Sequence, residues 1–340
     1  MVPGQGSAAG NADGPWCAGR TPGIRPDPGW RLLAGPAARA EPSPGPTRPI
    51  RLAQNGAVAA PADWTELAPG VFVAVWAPFN LNVGLVVGAE RAVLFDTGHS
   101  LATGLEIVQL ARERTELPLG AVNSHSHFDH CFGNGALQPD VLWSHRLCAE
   151  HLRWDGEAQQ REVIARLRDR DREVAQAIAA SPIVSPACLL EDEVELDLGG
   201  RIVTLAHPGR GHTDNDVVAW VGSDRVLFAG DLVEEGAPPS FEDSYPLDWP
   251  DSLASLLALD PDRIVPGHGA VVDAGFARAQ HTDLQQLADL SRKGFRNSRR
   301  PGEFDVDTAF PGKPAQTAIR RAYGQLAAAT SGAWVERQPG

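Results

Sequence analysis

Between Asn123 and His130 the chain reads Asn-Ser-His-Ser-His-Phe-Asp-His, which places three imidazoles and one carboxylate in the six residues from His125 to His130. No ordinary turn needs that density of nitrogen and oxygen donors, and a transition-metal site does. Neutral imidazole with a nearby carboxylate suits Zn(II) best and leaves Fe(II) or Mn(II) open. On an extended strand end His125 and His127 share one side, because side chains alternate with a period of two. Asp129 and His130 are adjacent and cannot both follow them, so the chain must bend after Phe128 and offer its second pair to a second ion. Each ion wants about four ligands, so further donors must come from distant segments. The candidates are His212 in Gly-Arg-Gly-His-Thr, Asp231 at the end of the apolar run from Val226, and His268 in Pro-Gly-His-Gly. Each sits where an apolar strand gives way to a loop, the usual place for chemistry on a rigid scaffold. Taken singly, a loop His or Asp is more often a turn or solvated residue.

Five segments in order, Leu94-Phe95-Asp96-Thr97-Gly98, the stretch from His125 to His130, Gly211-His212-Thr213, Gly230-Asp231 and Gly267-His268-Gly269, resemble the metallo-β-lactamase superfamily. The likeness points to its glyoxalase II-like and lactonase-like branch. Carried over position by position, the resemblance implies that His125, His127 and His212 hold one metal and Asp129, His130 and His268 the other, with Asp231 shared. It implies two Zn(2+) per chain, with Fe or Mn as alternatives. It also gives Asp96 a role in orienting the ligand loop, against the plainer reading of a turn carboxylate before Thr97-Gly98. His99, His145, His151, His207 and His281 match no ligand position and read as surface or packed residues.

The fold implied is an α/β (α+β) class αββα sandwich, two mixed sheets face to face with helices outside. The pattern of the chain agrees. Apolar strands are expected over 71–75, 81–87 and 91–95, a helix over 101–114, a charged helical region over 146–180, strands over 193–196, 201–205, 217–221 and 226–228, and a helix from Asp248 through Leu259. Residues 1–60 are crowded with Gly, Pro, Ala and Arg and read as a disordered segment. Residues 61–275 then form the catalytic domain, and 276–340 a helical extension packed on it.

A chain of 340 residues suffices for one large domain or two modest ones. A formal charge of -13 disfavours a nucleic-acid partner, because phosphate binding draws on clustered Lys and Arg. No apolar run reaches the roughly 18 residues of a membrane span, and no signal peptide is evident. Cys17, Cys131, Cys148 and Cys188 show no metal or scaffold spacing, so reduced thiols in a cytoplasm are expected.

The function implied is a dinuclear hydrolase in which a metal-bound hydroxide attacks an ester, thioester or lactone of a small molecule, with Asp129 orienting the nucleophile. Asp231 stands where penicillin-degrading members of the family carry Cys or Ser, so β-lactamase activity is not expected. Two alternatives remain: a mono-iron persulfide dioxygenase, and a non-catalytic interaction protein on the same fold. Phe132, Phe241 and Tyr245 are candidates for an apolar pocket wall and Arg210 for an anion contact, though each is more often structural. Glu234, Glu235, Glu242 and Asp243, if they line the pocket, repel an anionic substrate.

Overall fold

The computed structural model describes Cys17 and residues 63–303 and 310–335. Apart from Cys17, the segment 1–60 lies outside the described residues. The chain divides into two compact units: one holds Cys17, 63–207 and 215–224, and the other holds 208–214 and the described residues from 225 onward. The strands belong to two mixed sheets of seven and five strands, with helices flanking them.

In the first unit β1 (Thr65–Ala68), β2 (Val71–Trp76), β3 (Leu81–Val87), β4 (Ala92–Phe95), β5 (Leu119–Val122), β6 (Leu142–His145) and β7 (Cys188–Leu190) follow one another across the seven-stranded sheet. The pairs from β1 to β4 are antiparallel and those from β4 to β7 parallel. Every residue of β4, β5 and β6 is buried, as expected for parallel strands covered on both faces. A parallel pair needs a crossover, and helix α1 (Leu101–Arg112) supplies it between β4 and β5, with Ser100 capping its start by accepting from Thr103 N–H. Register then fixes what the site receives. Phe95 faces Val122, so the residues that follow, Asp96 and Asn123, leave the sheet side by side.

Strands β8 (Glu193–Asp197), β9 (Ile202–Ala206) and β10 (Val218–Val221) pair antiparallel in this unit. Along β8, Val194 and Leu196 point inward while Glu193, Glu195 and Asp197 alternate outward, so one face of this strand meets water. The charged region 146–180 is three helices rather than one: α3 (Arg146–Trp154), α4 (Gly156–Leu167) and α5 (Arg172–Ala179), the last capped by Asp171. The first break falls at Asp155, and Gly156 opens α4 at a place where a Cβ would meet Ile183 at 2.6 Å. These helices close over Cys131, Phe132, Cys148, Leu152, Val163 and Ile178. Phe132 is therefore core, the structural role that the sequence favoured over a pocket wall. Within the same core run, His130 and Cys131 belong to a short helix, α2 (Phe128–Cys131).

In the second unit β11 (Val226–Gly230) and β12 (Arg263–Pro266) pair parallel, with α6 (Trp249–Leu257) between them in sequence. Gly230 faces Pro266, so Asp231 and Gly267 leave together, the same device as Asp96 and Asn123. Helices α7 (Ala274–Arg296) and α8 (Lys313–Val335) pack through Leu247, Ala288, Ala322 and Leu326. Phe241 packs on Trp249 and Phe310, again the structural role rather than the pocket wall.

One expectation about the cysteines is overturned. Cys17 and Cys188 form a disulfide across 171 residues of sequence, their Cα atoms 5.0 Å apart. Spacing rules for small scaffolds carry no information about so distant a pair. Cys131 and Cys148 remain as buried thiols. No helix among the described residues is long and apolar enough to cross a membrane.

Candidate metal centre

The first unit builds one set of donors around a buried carboxylate. Asp96 takes a left-handed backbone conformation, φ +69°, which Asp tolerates better than most residues. Its Oδ1 accepts the Ser124 N–H at 2.7 Å, and its Oδ2 accepts the Ser124 hydroxyl and His130 Nδ1, both at 2.8 Å. All three residues are essentially sealed from solvent. A carboxylate on Nδ1 fixes the proton there and leaves Nε2 of His130 unprotonated. The Ser124 hydroxyl, having given its proton to Asp96, lies 3.0 Å from His125 Nδ1 and can accept from it. That leaves His125 Nε2 unprotonated as well, and it lies 2.9 Å from Nδ1 of His127. Beyond His127 the chain enters α2, and this is the bend the sequence required. Asp129 sits in its first turn with Oδ2 3.9 Å from His130 Nε2.

Residues far away in sequence hold this loop. Asn215 accepts the Ser126 N–H at 3.0 Å, Gln159 donates to the Ser126 carbonyl at 3.1 Å, and Cys131 donates its thiol proton to the His127 carbonyl at 3.0 Å. Burial pushes that thiol well above its ordinary pKa. Asn123 and Asn134 exchange two amide hydrogen bonds, at 2.9 and 2.8 Å, behind the loop. Sequence reasoning missed Asn134, Gln159 and Asn215. The only local signals are Gly133-Asn134-Gly135 and Asp214-Asn215-Asp216, which read equally well as turns.

Asp96→Asn is expected to weaken metal affinity about 10–100-fold, because an amide keeps only one of the two acceptor oxygens and loses the charge, so it cannot serve both Ser124 N–H and His130 Nδ1. Competition with a chromophoric chelator measures it. Unchanged affinity would make Asp96 a turn residue only.

The second unit brings His212, Asp231 and His268 together. Oδ2 of Asp231 lies 3.4 Å from Nε2 of His212 and 3.5 Å from Nε2 of His268. Those separations are long for hydrogen bonds. They match the roughly 3.4 Å edge of a tetrahedron whose metal–ligand bonds are about 2.0–2.1 Å. The donor types and spacing therefore fit the binding of a metal ion. Gly267 makes room for that carboxylate, since a Cβ there would lie 1.7 Å from Asp231 Oδ1. The His212 loop is pinned by the Tyr245 N–H, which donates to the Gly211 carbonyl at 2.8 Å, and by Trp249, whose ring centroid lies 5.7 Å from that of His212.

Two further expectations change. Tyr245 is no bare apolar wall: its hydroxyl meets Asp214 at 3.4 Å and the Arg210 guanidinium lies over its ring at 4.6 Å. Arg210 is itself engaged by Asp248 at 2.6 Å, so it is not free to serve an anion alone. Of the remaining histidines, His99 packs edge-on to Phe79 and burial lowers its pKa, while His145 stacks on His207 at 4.3 Å.

The described residues thus include His and Asp groups of the kind that hold metal ions. A family model described as the metallo-beta-lactamase superfamily matches residues 76–268, a span that contains all of these groups. A Bos taurus protein named acyl-coenzyme A thioesterase MBLAC2 is 31% identical over 173 residues, 46% of this chain and 59% of its own length. This chain therefore spans less than two thirds of that relative. A metallo-beta-lactamase type 2 from Bacillus sp. (strain 170) is 23% identical over 219 residues, 62% of this chain and 75% of its own length. Among solved structures, the sec-alkylsulfatase Pisa1 from Pseudomonas sp. superposes with a TM-score of 0.63 at 17% identity, over 78% of this chain and 50% of that one. At that identity the likeness shows the fold, an α/β sandwich of two mixed sheets flanked by helices.

Proposed function

Because this chain belongs to the metallo-β-lactamase superfamily, we propose that its two donor sets act together as the dinuclear centre of a hydrolase that cleaves acyl thioesters, with simple esters and lactones as neighbouring substrates. His125, His127 and His212 hold one ion and Asp129, His130 and His268 the other, with Asp231 shared between them. The observation that carries this reading is the placing of Asp231 Oδ2 nearly equidistant from His212 and His268. Imidazole-rich, carboxylate-bridged donors favour Zn(II), and Fe(II) or Mn(II) accept the same set.

Cations held there supply Lewis acidity and bring the pKa of water from 15.7 to about 7. The chain's own contribution is positioning and proton handling. Asp129 keeps 14% of its side-chain surface exposed, whereas His130 beside it keeps none. It is the carboxylate of the segment from His125 to His130 and is open to a water molecule, so it orients the nucleophile and takes its proton. The same carboxyl then returns that proton to the departing sulfur. A thiol leaving group, with a pKa near about 8.5, asks little of that acid, whereas an amine or alkoxide asks much more. Thioesters are favoured over amides for this reason, and the relatives named acyl-coenzyme A thioesterases support the same choice.

The test is turnover of a panel of acyl-coenzyme A thioesters, aryl esters, lactones and a β-lactam by Zn- or Mn-loaded protein. Thioesters are expected to give the highest kcat/KM, and Asp129→Asn is expected to lower it about 10²–10⁴-fold. A β-lactam at the head of the panel would overturn the choice of substrate. Oxygen uptake with a persulfide by Fe-loaded protein would overturn hydrolysis itself.

A further inference from the structure

Three residues past Asp231, Glu234 and Glu235 stand side by side in a loop that sequence alone reads as acidic lining. The structure turns both back toward the ligand segments. Glu234 keeps only 9% of its side-chain surface exposed, and its Oε1 faces Nδ1 of His212 at 3.5 Å. This is the nitrogen on the far side of the ring from Asp231. The same Oε1 accepts the Ser240 N–H at 2.9 Å, and the Glu234 backbone N–H donates to Gln280 Oε1 at 3.2 Å, so side chain and backbone are each held once. Glu235 works on the other loop. Its N–H donates to the His268 carbonyl at 3.3 Å and its Oε2 accepts the Ala270 N–H at 2.8 Å, bracketing Gly269. Gly269 has φ +93°, and a Cβ there would meet the Glu235 carbonyl oxygen at 2.4 Å and Oε2 at 2.6 Å. The close approach of Glu235 therefore depends on glycine at that position.

We propose that Glu234 and Glu235 are a paired brace that positions two metal ligands, Glu234 by orienting the imidazole of His212 and Glu235 by fixing the backbone that carries His268. The inference rests on the reading of His212 and His268 as ligands. The two glutamates act by different physics. At 3.5 Å the Glu234–His212 contact is long for a hydrogen bond, so its effect is mainly that of a negative charge, which attracts the Nδ1 proton and holds the tautomer with Nε2 unprotonated. Glu235 acts as a plain acceptor for a backbone N–H. A neutral amide can replace an acceptor and cannot replace a charge, so glutamine separates the two roles.

Expected results follow for protein loaded with Co(II), with metal affinity from chelator competition, the visible absorption bands as the report on geometry, and thermal unfolding as the check on fold. Glu234→Gln keeps an acceptor for Ser240 and is expected to weaken one of the bound equivalents about 10-fold and shift the absorption bands. Glu235→Gln is expected to match the wild type, whereas Glu235→Ala weakens binding about 10-fold. A Glu234→Gln protein with wild-type affinity and spectrum, in a chain that binds about two ions, would overturn the brace and leave the dinuclear reading standing. A wild type that binds no cation would overturn both.

Discussion

Asp231→Asn is expected to abolish thioester turnover and remove at least one tightly bound ion per chain while the fold persists. The carboxylate is buried, with both neighbouring imidazoles presenting Nε2 to the same oxygen. An amide of nearly the same shape offers one oxygen, no charge and an NH2 group that cannot ligate. Loss of a bridging anion should cost at least the about 10²–10³-fold that removal of a single charge-stabilising group costs in other enzymes. Stability should move the opposite way in metal-free protein. A buried anion beside imidazoles is held for function at the expense of folding, so metal-free Asp231→Asn should unfold at the same temperature as the metal-free parent or higher. Equal metal content and activity in the variant would show that Asp231 is only a strand-end carboxylate.

Gly267→Ala should be equally damaging for a steric reason. The added methyl would sit 1.7 Å from Asp231 Oδ1 and 2.9 Å from its Cγ. Retreat is blocked, because the Gly267 N–H donates to the Gly230 carbonyl at 2.8 Å and β11 and β12 are paired immediately upstream. Either the strand ends part or the carboxylate swings out of place. Overpacking of this kind costs about 1–3 kcal/mol, and thermal unfolding and metal titration should both register it. Gly324→Ala is the matching control: it lies in α8 with nothing within 4 Å of the added methyl, and should be neutral or stabilising by up to about 1 kcal/mol. Normal metal binding by Gly267→Ala would mean that Asp231 does not need its present orientation.

Much of the fold was legible because its signals are local. The strands that carry the candidate ligands are short, apolar and bounded by Gly, Asn or Asp, and the donors cluster where each strand stops. The bend after Phe128 followed from the adjacency of Asp129 and His130. What escaped was set by partners remote in sequence. Asn215 is 89 residues from the Ser126 N–H it accepts, and Gln159 is 33 residues from the carbonyl to which it donates, so no local pattern marks either. Phe132 and Phe241 stayed open between core and pocket wall for a related reason: an aromatic residue near a ligand in sequence carries no indication of which way its ring points, and both point into the core. Glu234 and Glu235 gave the same difficulty in charged form. Composition marks the loop as acidic, and only the turn after β11 decides that its carboxylates face His212 and the His268 loop. The helical region after Arg146 read as continuous because charged residues of both signs run through its breaks without a proline to mark them.

Anomalous difference density from crystals of the Zn-loaded protein, collected at the zinc edge, tests the seven-donor centre most directly. Two peaks about 3.5–4 Å apart, one on either side of Asp231 Oδ2, are predicted. A single peak away from Asp231, or none in protein that turns over thioesters, would contradict it.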